Sequence, residues 1–117
     1  MDKRNGPEKF DFFLYECHTM YDLLEASLRI TDFEWDEGNV LHLELRHGIE
    51  PEEVEEVFVN KPLFRRTKKG HYVAFGPTRI GRYLTIVFDL KPKGIARPIT
   101  GWDMKRTEIQ YYKKHVR

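Results

Sequence analysis

Apolar positions change period part-way along this chain. From Phe10 to Leu28 they recur at spacings of three and four (Phe13, Leu14, Cys17, Met20, Tyr21, Leu24 and Leu28), the pattern of an amphipathic helix. The polar residues 1–9, with "NGP" as a breaker, are expected to fray ahead of it. "ITDFEW" reads as a short strand ended by "DEGN". Val40 to His47 reads as a short helix stopped by Gly48. "GIEPEEVEEVFVN" opens another: Pro51 suits the first helical position, and Glu52 and Glu53 suit the positive end of the helix dipole. Val54, Val57 and Phe58 form its apolar face, and Asn60 and Pro62 end it.

Beyond residue 62 the period falls to two. "PLFRRT" and "HYVAFG" read as strands, and "GPTRIG" as a hairpin turn. "RYLTIVFDL" is the clearest strand, with Leu84, Ile86, Phe88 and Leu90 on one face and Tyr83, Thr85 and Val87 on the other. Apolar on most of both faces, it belongs at the centre of a sheet. "KPKG" turns the chain into a fourth strand, "IARPIT", where Pro98 cannot donate a ladder hydrogen bond and so predicts an edge or a bulge. Asp103 is expected to cap a final helix through "MKRTEIQYYKKH", whose last turn is basic, as the dipole favours. The sum is an α+β fold: N-terminal helices, then a four-stranded antiparallel sheet, then a C-terminal helix, with the helices on one face of the sheet.

Composition narrows the class. At 117 residues with 40% hydrophobic and 14% aromatic residues, the chain can bury a core and does not read as disordered. Its single cysteine, Cys17, allows no disulfide within the chain and no Cys-rich zinc motif, which fits a reducing compartment. No apolar run approaches the roughly 20 residues of a membrane span, and the first residues hold no apolar signal core. A cytoplasmic location is expected.

The net charge of +1 hides an asymmetry. Residues 1–60 carry five Lys/Arg and sixteen Asp/Glu, a net of −11; residues 61–117 carry fifteen and three, a net of +12. Either the basic half presents a face to a polyanion, or the two halves fold together and neutralise each other.

"HLELRH", His42 to His47, invites a metal reading. A helical zinc pair needs histidines at i and i+4, whereas these are five apart, about 140° around a helix of 3.6 residues per turn. On a strand His42 and Glu44 share a face and His47 points away, so no metal site is expected. The only serine is Ser27, no Gly-rich loop has phosphate-cradle spacing, and no cofactor motif is present. What remains is basic: Arg65, Arg66, Lys68, Lys69, His71, Arg79, Arg82, Lys91, Lys93 and Arg97, interleaved with Phe64, Tyr72 and Tyr83. Such a surface can hold phosphates by charge and stack bases on aromatic rings. A solubilising sheet edge would look similar.

These segments also resemble a known family. "FEWDEGN", "RHGIEPEEVEEVF", "RRTKKGHYVAFGPTRIGRYLTIVF" and "RPITGWDM", followed by a basic-aromatic helix, are similar in order to the BrnT toxins of bacterial type II toxin–antitoxin pairs. The resemblance covers about residues 30–115, which makes residues 30–117 the toxin-like domain and residues 1–29 an extension, helical or an upstream mis-start with Met20 as the initiator. It implies a RelE-like fold and a metal-independent endoribonuclease, needing no cofactor, in which the 2′-hydroxyl attacks the adjacent phosphate and basic side chains stabilise the charge. By position it implies Arg97 as phosphate clamp with Arg82 in support; from the basic surface, Arg66 is expected to support them, His71 to act as acid or base, and Arg65, Lys68, Lys69, Arg79 and Tyr83 to hold the RNA. His47 matches the histidine of the family's "K/R-H-G". The implied partner is a BrnA-like ribbon-helix-helix antitoxin, through which alone operator DNA would be bound. Two positions depart from the pattern: Trp102 stands where an arginine is usual, and Pro98 where a β-branched residue is. A catalytically weak or inactive module that binds RNA or an acidic protein is the alternative.

Overall fold

A computed structural model describes residues 29–116 of the chain. The expected helix over 10–28, with Cys17, lies outside them. The described elements run β1 (Asp32–Phe33), α1 (Glu37–Leu41), a π-helical turn (His42–Arg46), α2 (Pro51–Val59), β2 (Leu63–Arg66), β3 (Tyr72–Pro77), β4 (Tyr83–Lys91), β5 (Ile95–Asp103) and α3 (Arg106–His115). The class is α+β, as the pattern implies.

β2 to β5 form the antiparallel meander read from the period-two segments. Among the described residues the sheet nevertheless has five strands, in the order β1-β5-β4-β3-β2, because "DF" of β1 pairs parallel to β5 through Asp32↔Ile95 and Phe33↔Ala96. The four-stranded antiparallel sheet is therefore corrected to a five-stranded mixed one. The chain passes from β1 through α1 and α2 before the meander begins, and β1 joins at the outside of β5. It is fastened there by Thr31, whose N–H donates to the Gly94 carbonyl (2.8 Å) and whose hydroxyl donates to the Lys93 carbonyl (2.6 Å).

β4 lies at the centre, and both of its faces are buried. Leu84, Ile86 and Phe88 meet Leu43, Ile49, Val54, Val57 and Phe58 from the first helices. On the opposite face Val87, with Val73 and Phe75, meets Tyr111 and Tyr112 of α3. The expectation of helices on one face is thus overturned. A strand that is apolar on both faces needs a cover on each, and α3 supplies the second.

Two local readings change as well, and the edge or bulge expected at Pro98 resolves to a bulge. "DEGN" starts a helix rather than ending a strand. Asp36 caps α1 by accepting from the Asn39 N–H (3.1 Å), while the Asn39 side-chain oxygen accepts from the Asp36 N–H (2.9 Å). Asp103 is the last residue of β5 and does not cap α3; Lys105 takes that position, and its N–H donates to the Glu108 carboxylate (3.0 Å). Pro98 sits in an interior strand, at a bulge: Val87 faces Thr100 and Phe88 faces Pro98, leaving Ile99 as the extra residue.

Asn39, 5% exposed, ties α1 to this bulge. Its amide nitrogen donates to the carbonyls of Pro98 (2.9 Å) and Glu34 (3.0 Å). Asn39→Ala would remove a shared donor from the Pro98 and Glu34 carbonyls and loosen the helix cap. It is expected to lower unfolding stability by about 2 kcal/mol or more, read as a fall in the urea midpoint.

Candidate functional site

The basic residues singled out from the sequence do not gather in one recess. Arg66, Lys68, Lys69, His71, Lys91, Lys93 and Arg97 lie at one end of the sheet, where β2 turns into β3 and β4 into β5. Arg79, Arg82 and Tyr83 lie at the other end, by the β3–β4 turn. Arg65 belongs to neither. It is 1% exposed, under α3, with Nε donating to the Tyr111 hydroxyl (2.6 Å) and the guanidinium 5.3 Å from the Tyr111 ring centre. Expected on the RNA surface, Arg65 is part of the packed layer beneath α3.

Two of the arginines are gripped by carboxylates. Arg97 Nη1 donates to Asp36 (2.7 Å) and Glu34 (3.2 Å). The bond from Arg97 holds the Asp36 carboxyl below its ordinary range, and the bond from Lys91 (2.7 Å) does the same for Glu34. Arg82 makes a two-pronged contact with Asp103 (2.8 and 3.1 Å) and reaches both oxygens of Glu53 (3.1 Å each). It also donates to the Gly48 carbonyl (3.0 Å). Asp103 chiefly, then Glu53, raises the Arg82 pKa further above its ordinary value. Arg82 therefore pins the start of α2, the turn after the π segment and the end of β5 to one another.

Arg66 lies half-buried with its guanidinium 5.5 Å from the Tyr72 ring centre. His71 Nδ1 is 2.6 Å from Asp89. Lys68 and Lys69 are exposed in the β2–β3 turn. Arg79 is exposed, and its backbone N–H donates to Glu56 (3.1 Å). Tyr83 packs edge-on against Tyr112, with the Lys113 ammonium 5.6 Å from its ring centre. Trp102 is 8% exposed and its indole N–H donates to Glu108 (3.1 Å), so this departure from the family pattern falls in the layer beneath α3. Burial there raises the Glu108 pKa.

The fold assembles a second constellation that helical spacing keeps apart. His42 and His47 stand with ring centres 5.3 Å apart, and Nε2 of each lies near the Thr100 hydroxyl, at 3.2 and 3.3 Å. The separation of about 140° assumed an α-helix. His42–Arg46 is a π turn, whose i→i+5 repeat brings residues five apart to the same side. Gly48, at φ +63°, then ends it, with its N–H donating to the Glu44 carbonyl (3.0 Å). Glu44 is exposed, and among the described residues no three of His, Cys, Asp and Glu come together as a metal-ligand set. Burial lowers both imidazole pKa values; Arg46 adds to this at His42, and His42 and Arg46 add to it at His47.

No protein-family model and no curated protein matches the chain. Among the described residues no helix is long and apolar enough to cross a membrane.

The sign of the imidazole shifts sets a pH dependence. With folded pKa values below the unfolded value of about 6.5, the unfolded chain binds protons first, so stability is lost as pH falls below that value. The urea midpoint is expected to drop between pH 7 and pH 5. Replacing both rings (His42→Gln with His47→Gln) is expected to flatten that drop.

Proposed function

We propose that this protein is a metal-independent endoribonuclease of RelE-like type, the toxin of a type II toxin–antitoxin pair, acting in the cytoplasm. The observation that supports the reading is the cationic end of the sheet. Arg66, Lys68, Lys69 and His71 of the β2–β3 hairpin stand at the same end as Lys91 and Lys93 of the β4–β5 connection. Lys68, Lys69 and Lys93 are exposed and make no ion pair with another described residue. Beside them, Arg66 over Tyr72 offers a flat cationic and aromatic platform. Such a surface grips a phosphate backbone by charge and accepts stacked bases. The cleavage is attack by the 2′-hydroxyl on the adjacent phosphate, with arginine's fixed fork suited to the charge that builds there. The partner is a BrnA-like antitoxin whose acidic segments cover this end, where complementary charge speeds encounter.

A second reading, a non-cutting module that binds RNA or an acidic protein, is favoured by one feature. The two arginines best placed by family analogy, Arg82 and Arg97, each already hold two carboxylates.

The protein incubated with single-stranded RNA in chelator separates the two. The enzyme reading expects fragments with 2′,3′-cyclic phosphate ends; RNA bound yet intact supports the module. Lys68→Ala with Lys69→Ala is expected to weaken RNA binding several-fold at low salt and to reduce the salt slope by about 1 to 2. Unchanged binding in that variant removes the cationic end from the argument.

A further inference from the structure

We propose that His42, Thr100 and His47 form a proton relay that acts on the scissile phosphodiester. The inference rests on the ribonuclease reading above and names the groups that move its protons.

The geometry carries it. A hydroxyl has one proton, so at most one of the two rings can accept from Thr100, and the other must donate its Nε2 proton. In the relay the chain of bonds runs from Nε2–H of one ring to the Thr100 oxygen, and from Thr100 O–H to Nε2 of the other ring, an arrangement both distances allow. Its outer ends are the two Nδ1 atoms, one bare and basic, the other protonated. Neither Nδ1 bonds another described residue. All three side chains are half-buried, sheltered enough to favour neutral rings and open enough to meet a substrate.

The step balances. The bare Nδ1 takes the 2′-hydroxyl proton as the 2′-oxygen bonds to phosphorus. That ring passes its Nε2 proton to Thr100, and Thr100 passes its own to the second ring. The second ring's Nδ1 proton goes to the 5′-oxygen as its bond to phosphorus breaks. The products are a 2′,3′-cyclic phosphate and a 5′-hydroxyl, and exchange with water restores the two tautomers. Arg46, exposed on the same π turn, is the cation acting on both rings and the counter-charge for the phosphate. Just ahead of β4, Arg82 bonds the Gly48 carbonyl and is neutralised by Glu53 and Asp103.

The relay works with both rings neutral. Therefore kcat/KM is expected to be flat above about pH 7 and to fall once pH drops below the imidazole range of about 6.5. A bell with an imidazolium acid on its alkaline side would overturn it.

The experiment measures RNA cleavage in chelator, from pH 5 to 8, by the full chain and by His42→Gln, His47→Gln, Thr100→Val and Thr100→Ser. Each His variant is expected to lose about 100-fold or more in kcat, with RNA affinity little changed. Thr100→Val is expected to lose activity and Thr100→Ser to retain it. If the parent cuts RNA and both His variants cut equally well, the relay is wrong and the ribonuclease reading stands. If the parent cuts no RNA at any of these pH values, the reading fails and the relay with it. Should a His variant not fold, the parent is titrated by imidazole NMR with an uncleavable 2′-deoxy oligonucleotide. The resonances of His42 and His47 are expected to shift on binding, and their staying fixed would overturn the proposal.

Discussion

The burial of β4 on both faces governs the rest of the structure. Leu84, Ile86 and Phe88 are fully buried on one side, and Thr85 and Val87 on the other. A strand of this kind cannot lie at an edge or leave one face in water, since each large apolar side chain left exposed forgoes about 1.5–3 kcal/mol. It calls for neighbours on both sides and covers above and below. β3 and β5 supply the neighbours, α2 with the π turn the first cover, and α3 the second. The polar groups drawn into these layers are satisfied rather than avoided: Glu108 accepts from the Trp102 indole and the Lys105 N–H, and the Arg65 guanidinium rests on Tyr111.

Charge then follows topology. The acidic first half and the basic second half meet along the flank where α1 and α2 cross the sheet. Arg97 is held by Asp36 and Glu34, Lys91 by Glu34, and Arg82 by Glu53. Solvent screens pairs like these, so they contribute little to stability. Their larger effect is on recognition. They remove Arg97 and Arg82 from an open cationic surface and leave the β2–β3 and β4–β5 turns as the exposed basic end. A phosphate approaching Arg97 would have to compete with two carboxylates already in place.

The π turn has a different consequence. An α-helical turn would splay His42 and His47 to different sides; widening it by one residue aligns them over Thr100. Thr100 is itself placed by the β5 bulge, which Pro98 marks and Asn39 fastens. Two departures from regular geometry, one in a helix and one in a strand, thus meet at the same three side chains. Arg82, bonded to the Gly48 carbonyl, braces the turn that follows His47.

Much of this was legible along the chain. Alternation of period two located the four strands of the meander and put β4 at its centre, because side-chain direction in a strand depends only on position. Pro98 announced the bulge by lacking an N–H, and Gly48 announced the helix end by tolerating positive φ. Pairing across the fold was not legible. No local pattern shows that "DF" runs parallel to β5, that the last helix covers the second face, or that Arg65 turns inward while Arg66 does not. The charge asymmetry left open whether the halves would neutralise each other, since Coulomb energy depends on distances that sequence order does not contain. The amino-acid order by itself determined which segments extend, which coil and where each stops, for these are short-range steric and hydrogen-bonding matters. Only the tertiary structure decided which charges meet and that two histidines face one hydroxyl, because both depend on how far a helix is unwound and where it lands on the sheet.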